Sequence, residues 1–202
     1  AQIIELKEMS SEDVRKLVHR YYAYIGGEGE PDPNQVTAIV QLARGLPLIA
    51  TTAVDAWVHD NAQDFQALQS LVVNDLVDRF LEGTSADMRL AFEVAAILRY
   101  FNAEILAALL NVSDADDLYA RLRQRRSFIQ PRTQGLAVQS SMRILMNEAL
   151  CLNKPERYHA LHRQAALYYE AKLEHARGEE RDRFLWECIY HRLLADEVNG
   201  IQ

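Results

Sequence analysis

Five arginines fall between Tyr119 and Arg132, at positions 121, 123, 125, 126 and 132. A guanidinium fork matches phosphate oxygens and the edge of guanine, so arginines at a helix end next to a wing could contact DNA. The same residues also suit a solvated helix C-terminus, where the dipole favours cations, with Leu118 and Leu122 as the buried side. His159 and His162 lie three apart on one helical face. A zinc site would need further ligands that the sequence does not place, so they read as a surface pair. His191, in "IYHRLL", reads as helix packing. Tyr21, Tyr22 and Tyr24 read as a core face whose hydroxyls reach the rim. Cys151 and Cys188 have no metal spacing and read as buried thiols in a reducing cytoplasm. There is no G-x-S-x-G and no H-E-x-x-H.

A quieter candidate is "GLPL", Gly45 to Leu48, which interrupts an otherwise helical pattern. Glycine after the last periodic residue and proline two further on is a helix stop followed by a helix start. Proline also has a fixed φ, so the kink could instead hold the backbone rigidly against something else. Both readings remain open from the residues alone.

The elements that would carry these groups are mostly helices. Ser10, with Asp13 three on, opens a helix whose apolar face is Val14, Leu17, Val18, Tyr21, Tyr22 and Ile25. "GGEGEPDPN" (26–34) breaks it. A second helix carries Val36, Ile39, Val40 and Ala43, a third Val54, Trp57 and Val58, and a fourth Phe65, Leu68, Val72, Leu76 and Phe80. "EGTSAD" (82–87) reads as a boundary. A helix over 87–100, a short one around Ile105–Leu110 and a third capped by Ser113 follow. "SFIQPRTQGLAVQSS" then reads as a β-hairpin around Gly135, followed by a helix with Met142, Leu145, Met146 and Ala149. The last part is a helix pair with its turn at "RGEE" (177–180), resembling one unit of a helical repeat. The first of the two carries Tyr158, Leu161, Ala165 and Tyr168, and the second Leu185, Cys188, Ile189 and Leu193. The expected fold is mainly α: a four-helix domain over 1–85, a winged helix-turn-helix with a short β-hairpin over 86–152, and an antiparallel helix pair over 153–202.

In this order, the motifs resemble the STAND class of signal-transduction ATPases, to which plant resistance proteins and apoptotic ATPases belong. "IIELKEMSSEDVRKLV" is similar to the strand-to-helix lead-in of that family's helical domain. Gly45, Leu46, Pro47 and Leu48 match its Gly-Leu-Pro-Leu motif; in the family a winged helix and often helical repeats come next, an order similar to the winged helix and single helix pair expected here. The resemblance implies that Gly45 and Pro47 lie beside the adenine of bound ATP or ADP, with Pro47 packed on the base. It also implies two partners: an upstream nucleotide-binding domain of the same chain, and downstream helical repeats or an effector. The chain departs from the family in having no G-x-x-x-x-G-K-[ST], so no phosphate cradle, and no recognisable Walker-type acidic strand. The His-Asp pair expected near the return from the wing is also missing; "VQSSM" (138–142) stands there.

Charge and composition narrow the classes. The 202 residues carry a net −7, and the acidic excess lies wholly in residues 1–85, with 6 Lys and Arg against 13 Asp and Glu. A general nucleic-acid binder would be basic instead. No apolar run approaches the length that spans a bilayer, and the N-terminus lacks a signal-peptide pattern. The first residue is not Met, as in a processed or excised chain. The expectation is a cytoplasmic, non-catalytic regulatory module with no cofactor of its own and no membrane partner. The alternatives are a transcription regulator binding DNA through Arg121, Arg123, Arg125 and Arg126, and an adaptor using the C-terminal helix pair.

Overall fold

The computed structural model describes residues 8–60 and 64–195. The apolar lead-in at 3–6 lies outside the described residues. Two compact units divide between Phe80 and Leu81.

The first unit holds helices α1 (Ser11–Tyr24), α2 (Pro33–Ala43) and α3 (Pro47–His59), each packed on the other two. Helix α4 runs Phe65–Leu81. Ser10 caps α1, its Oγ accepting from the Asp13 N–H at 3.1 Å. Proline starts both α2 and α3, where its missing N–H costs nothing. Val14, Val18, Val36, Ile39, Ala50, Ala53 and Val54 form the core, and α4 buries Leu68, Val72, Val73 and Leu76. The apolar face of α1 is narrower than its periodicity implies. Leu17 and Tyr21 are only half-buried, and Tyr24 is 83% exposed.

The second unit has the expected winged-helix order and ends in a helix pair. It comprises α5 (Ala86–Ile97), α6 (Ala103–Leu110), α7 (Asp116–Gln124), strands β1 (Ile129–Arg132) and β2 (Gly135–Val138), α8 (Ser140–Asn153), α9 (Pro155–Leu173) and α10 (Gly178–Ala195). The strands are antiparallel, with Ile129 opposite Val138 and Arg132 opposite Gly135. Helix α5 stops at Ile97 rather than running to 100, because Leu98 turns extended and Phe101 pairs with the hairpin. Phe101 and Leu136 exchange both backbone hydrogen bonds, at 2.7 and 2.8 Å. That close approach explains Gly135, whose φ is +136° and where a Cβ would lie 2.3 Å from the Phe101 carbonyl oxygen. Ser113 does not cap α7. The N-cap position is Ala115, and the Asp114 carboxylate accepts from the Asp116 N–H at 2.8 Å.

The helix pair is fastened to the winged helix. Glu93 of α5 accepts from Lys154 and from Arg157, both at 2.7 Å, and Glu104 of α6 pairs with Lys172 of α9. The turn of the pair falls before Gly178, so α10 begins within "RGEE". The buried side of α10 is Glu187, Cys188, His191 and Ala195. Leu185, Ile189 and Leu193, expected inside, are exposed, and only Cys188 of the expected face is buried.

Candidate functional site

Three places bear on function. In the first unit, the turn between α2 and α3 has two consecutive left-handed residues, Arg44 (φ +46°) and Gly45 (φ +81°). Leu46 then donates its N–H to the Ala43 carbonyl at 2.8 Å, and Pro47 takes the first position of α3. Gly45 is buried because the chain ahead of α1 crosses it, with the Met9 N–H donating to the Gly45 carbonyl at 2.8 Å. Pro47 and Leu48 face outward, exposed. Leu46 supplies no side-chain cap, so the first-turn N–H groups of α3 are not taken up by it. The turn can therefore offer an apolar wall beside a helix N-terminus, which suits the base of a nucleotide. Its one cation is Arg44 and it has no glycine-rich loop, so it offers no cradle for the phosphates.

Nearby, Tyr21 and Tyr22 of α1 serve packing, while Tyr24, expected on the same face, is exposed. Tyr22 stacks on Trp57 with ring centroids 5.0 Å apart, and Tyr21 donates to Asp55 at 3.2 Å.

In the second unit, the arginines separate into two groups. Arg121 is engaged: it donates to Asp87 at 2.6 Å, to Ser85 at 2.8 Å and to Asp117 at 3.4 Å. The hydrogen bond from Arg121 and a second from Ser85 hold the Asp87 carboxyl well below the usual carboxylate range. This ties α7 to the start of α5 and leaves Arg121 poorly placed to reach a phosphate. Arg123, Arg125 and Arg126 are exposed. Arg123 and Arg126 line a broad cleft between α7 and β1 with Tyr119, Gln130 and Pro131.

The third place joins α9 to α10, where His191 packs as expected and His162, expected at the surface, is buried with it. His162 and His191 are both fully buried, with their Nδ1 atoms 2.8 Å apart. One ring donates and the other accepts, so the neutral pair holds one Nδ1–H and one Nε2–H. Both Nε2 atoms are buried without a partner. Burial drives both imidazoles down, His162 to about 4 and His191 to about 3, and neighbouring charge adds to it. Tyr158, Tyr169 and Tyr190 surround the pair. His159 lies apart, against the Leu194 carbonyl at 3.0 Å. One sequence signal was available: His162 sits between Tyr158 and Ala165 on the apolar face of α9.

Both cysteines are free; Cys188 is buried, and Cys151 is half-exposed rather than buried. Among the described residues, no group of three or more His, Cys, Asp or Glu is placed to hold a metal ion, and no helix is long and apolar enough to cross a membrane.

In comparisons with known proteins, no family model matches the chain, and neither a curated protein nor a solved structure matches it. What the fold defines is therefore an architectural class: a helical unit followed by a winged helix-turn-helix that carries a helix pair.

Proposed function

We propose that this chain is a non-catalytic regulatory module of a STAND-type ATPase. It would couple the nucleotide state of an upstream domain of the same chain to a rearrangement that signals onward. The observation that carries the reading is the outward-facing Pro47–Leu48 pair on an uncapped helix start, held rigid by Gly45 beneath it. A docking nucleotide-binding domain would close ATP or ADP against that wall and supply the phosphate cradle itself. A ligand shifts a two-state equilibrium only by its differential affinity for the two states. The hinge would lie at residues 82–87, where Gly83 adopts φ +68°. The test is Pro47→Ala in the protein joined to its nucleotide-binding domain, with nucleotide affinity read by displacement of a fluorescent analogue. Losing a packed apolar ring should weaken retention about tenfold, near 1.4 kcal/mol. Unchanged affinity would remove Pro47 from the site and this reading with it.

A second reading has its own observation. Helix α10 exposes Leu185, Trp186, Ile189 and Leu193, with Trp186 at 66% and Leu193 at 54%. The positions share one helical face, which an adaptor would use or a following helical repeat would cover. Truncating the face with Trp186→Ala and Leu193→Ala discriminates them: an adaptor loses partner binding while nucleotide response is untouched. The DNA-binding reading is weakened by the engagement of Arg121 with Asp87 and Ser85.

A further inference from the structure

Strand β1 has one free edge, and its chemistry is one-sided. The Leu136 N–H and carbonyl both bond Phe101, at 2.8 and 2.7 Å, so they point away from β1. Hydrogen-bonded and non-hydrogen-bonded pairs alternate along an antiparallel ladder. Pro131, opposite Leu136, and Ile129, two residues before it, therefore turn their own backbone groups to the other edge. There the Ile129 N–H donates to the Arg125 carbonyl at 2.9 Å, and Pro131 has no N–H to offer. The edge is left with two carbonyl oxygens, those of Ile129 and Pro131, and no donor. A partner can meet it only with N–H groups.

The cleft between α7 and β1 measures about 1010 Å³, above the range that encloses a small molecule. Tyr119, Ala120, Arg123 and Gln124 form one stripe of α7 along it, and Gln130 and Pro131 lie on the β1 side. No carboxylate lines it. Arg123 and Arg126 are exposed, and no described residue engages either of them. The first acidic residue on that stripe of α7, Asp116, stands one turn beyond Ala120. Two arginines without counter-charge favour an anionic occupant. A DNA phosphate backbone has acceptors and no donors, so it would set oxygen against the carbonyls of β1. An extended peptide supplies both partners, N–H groups for the carbonyls and carboxylates for the arginines.

We propose that this cleft is a docking site for an extended acidic peptide segment of a partner protein. Its main chain donates N–H groups to the Ile129 and Pro131 carbonyls, and its carboxylates meet Arg123 and Arg126. The site lies wholly in the second unit and does not depend on the regulatory reading above.

The probe is a fluorescein-labelled peptide of about ten residues alternating Glu and Val, so that Val turns into the cleft and Glu out to its rim. Titrated with the unmodified protein at about 150 mM salt, its anisotropy should saturate with Kd below about 1 mM. The peptide with Gln in place of Glu should bind about tenfold more weakly, having lost its charge-assisted bonds. N-methylation of alternate residues should weaken binding about fivefold in one of its two phases, the one that removes the N–H groups facing β1. Arg123→Gln combined with Arg126→Gln should weaken the acidic peptide about tenfold and leave thermal unfolding unchanged, because both side chains are exposed and unengaged. Equal affinity for the Glu and Gln peptides, indifference to N-methylation in both phases, or no saturable binding below about 1 mM would each overturn the proposal. So would tighter binding of an oligothymidine or a DNA duplex than of the peptide, which would make nucleic acid the occupant. The ligand comparison requires no variant, so it stands even where a substitution in the cleft impairs folding.

Discussion

A methyl group at position 45 would sit 2.7 Å from both the Met9 carbonyl oxygen and the Glu8 Cβ, on a backbone already at φ +81°. Gly45→Ala therefore combines left-handed strain with a clash against backbone, and we expect it to cost about 2 kcal/mol or more in denaturant unfolding. Pro47→Ala should differ sharply. Pro47 is exposed, at the first helical position, and gives up no packed core contact, so its stability change should stay within about 1 kcal/mol. That contrast, measured as midpoint shifts on the same protein, separates the residue that shapes the turn from the one proposed to face a ligand. The stop at Gly45 and start at Pro47 were legible in the sequence, because glycine and proline mark chain geometry directly. The return of residues 8 and 9 across Gly45 was not. A single backbone hydrogen bond leaves no side-chain pattern to read.

The helix pair shows what periodicity can miss at the level of an element. Leu185, Ile189 and Leu193 repeat as a core stripe should, yet α10 buries Glu187, Cys188 and His191 instead. Apolar spacing identifies a face but not which face the rest of the fold covers. Here the Arg99 Nε lies 3.8 Å from the Glu187 carboxylate, and His162 meets His191. The winged-helix order, by contrast, was readable because Pro131, Gly135 and the alternating Leu136 and Val138 fix a hairpin locally. The buried pair makes an acid-sensitive element. An unfolded histidine titrates near 6.5, whereas His162 and His191 in the fold titrate at about 4 and about 3. Below pH 6.5 the unfolded state binds more protons, so stability is full above that pH and falls on acidification until the folded values are reached. For His162 alone the loss is on the order of 3 kcal/mol. Facing charges from other positions, Arg99, Arg143 and His159, oppose protonation, while Glu187 is itself pushed up by burial and offsets them little. Unfolding followed between pH 7 and 4 should show this loss, and replacing both histidines with leucine should flatten it. A profile unchanged by the double replacement would mean that other groups carry the acid sensitivity.

Over the whole molecule, charge weighs against the DNA-binding reading more firmly than any one side chain does. The net charge is −7, and residues 1–85 account for all of the excess. The exposed arginines of α7 and the hairpin, Arg123, Arg125, Arg126 and Arg132, sit on a segment whose own balance over 86–150 is only +1, eight Lys and Arg against seven Asp and Glu. Duplex binding gains its affinity by releasing counterions from phosphates, roughly one for each cation that reaches the backbone. Four arginines give a modest salt dependence, and the acidic excess of the chain repels the same polyanion. We therefore expect duplex affinity weaker than about 10 μM near 150 mM salt, with little further loss in Arg125→Glu combined with Arg126→Glu. Fluorescence anisotropy across a salt series measures both quantities. Sub-micromolar binding that falls steeply with salt and disappears in the double variant would give the winged helix a nucleic-acid partner, and the exposed arginines, rather than the Pro47 turn, would be the working surface of the chain.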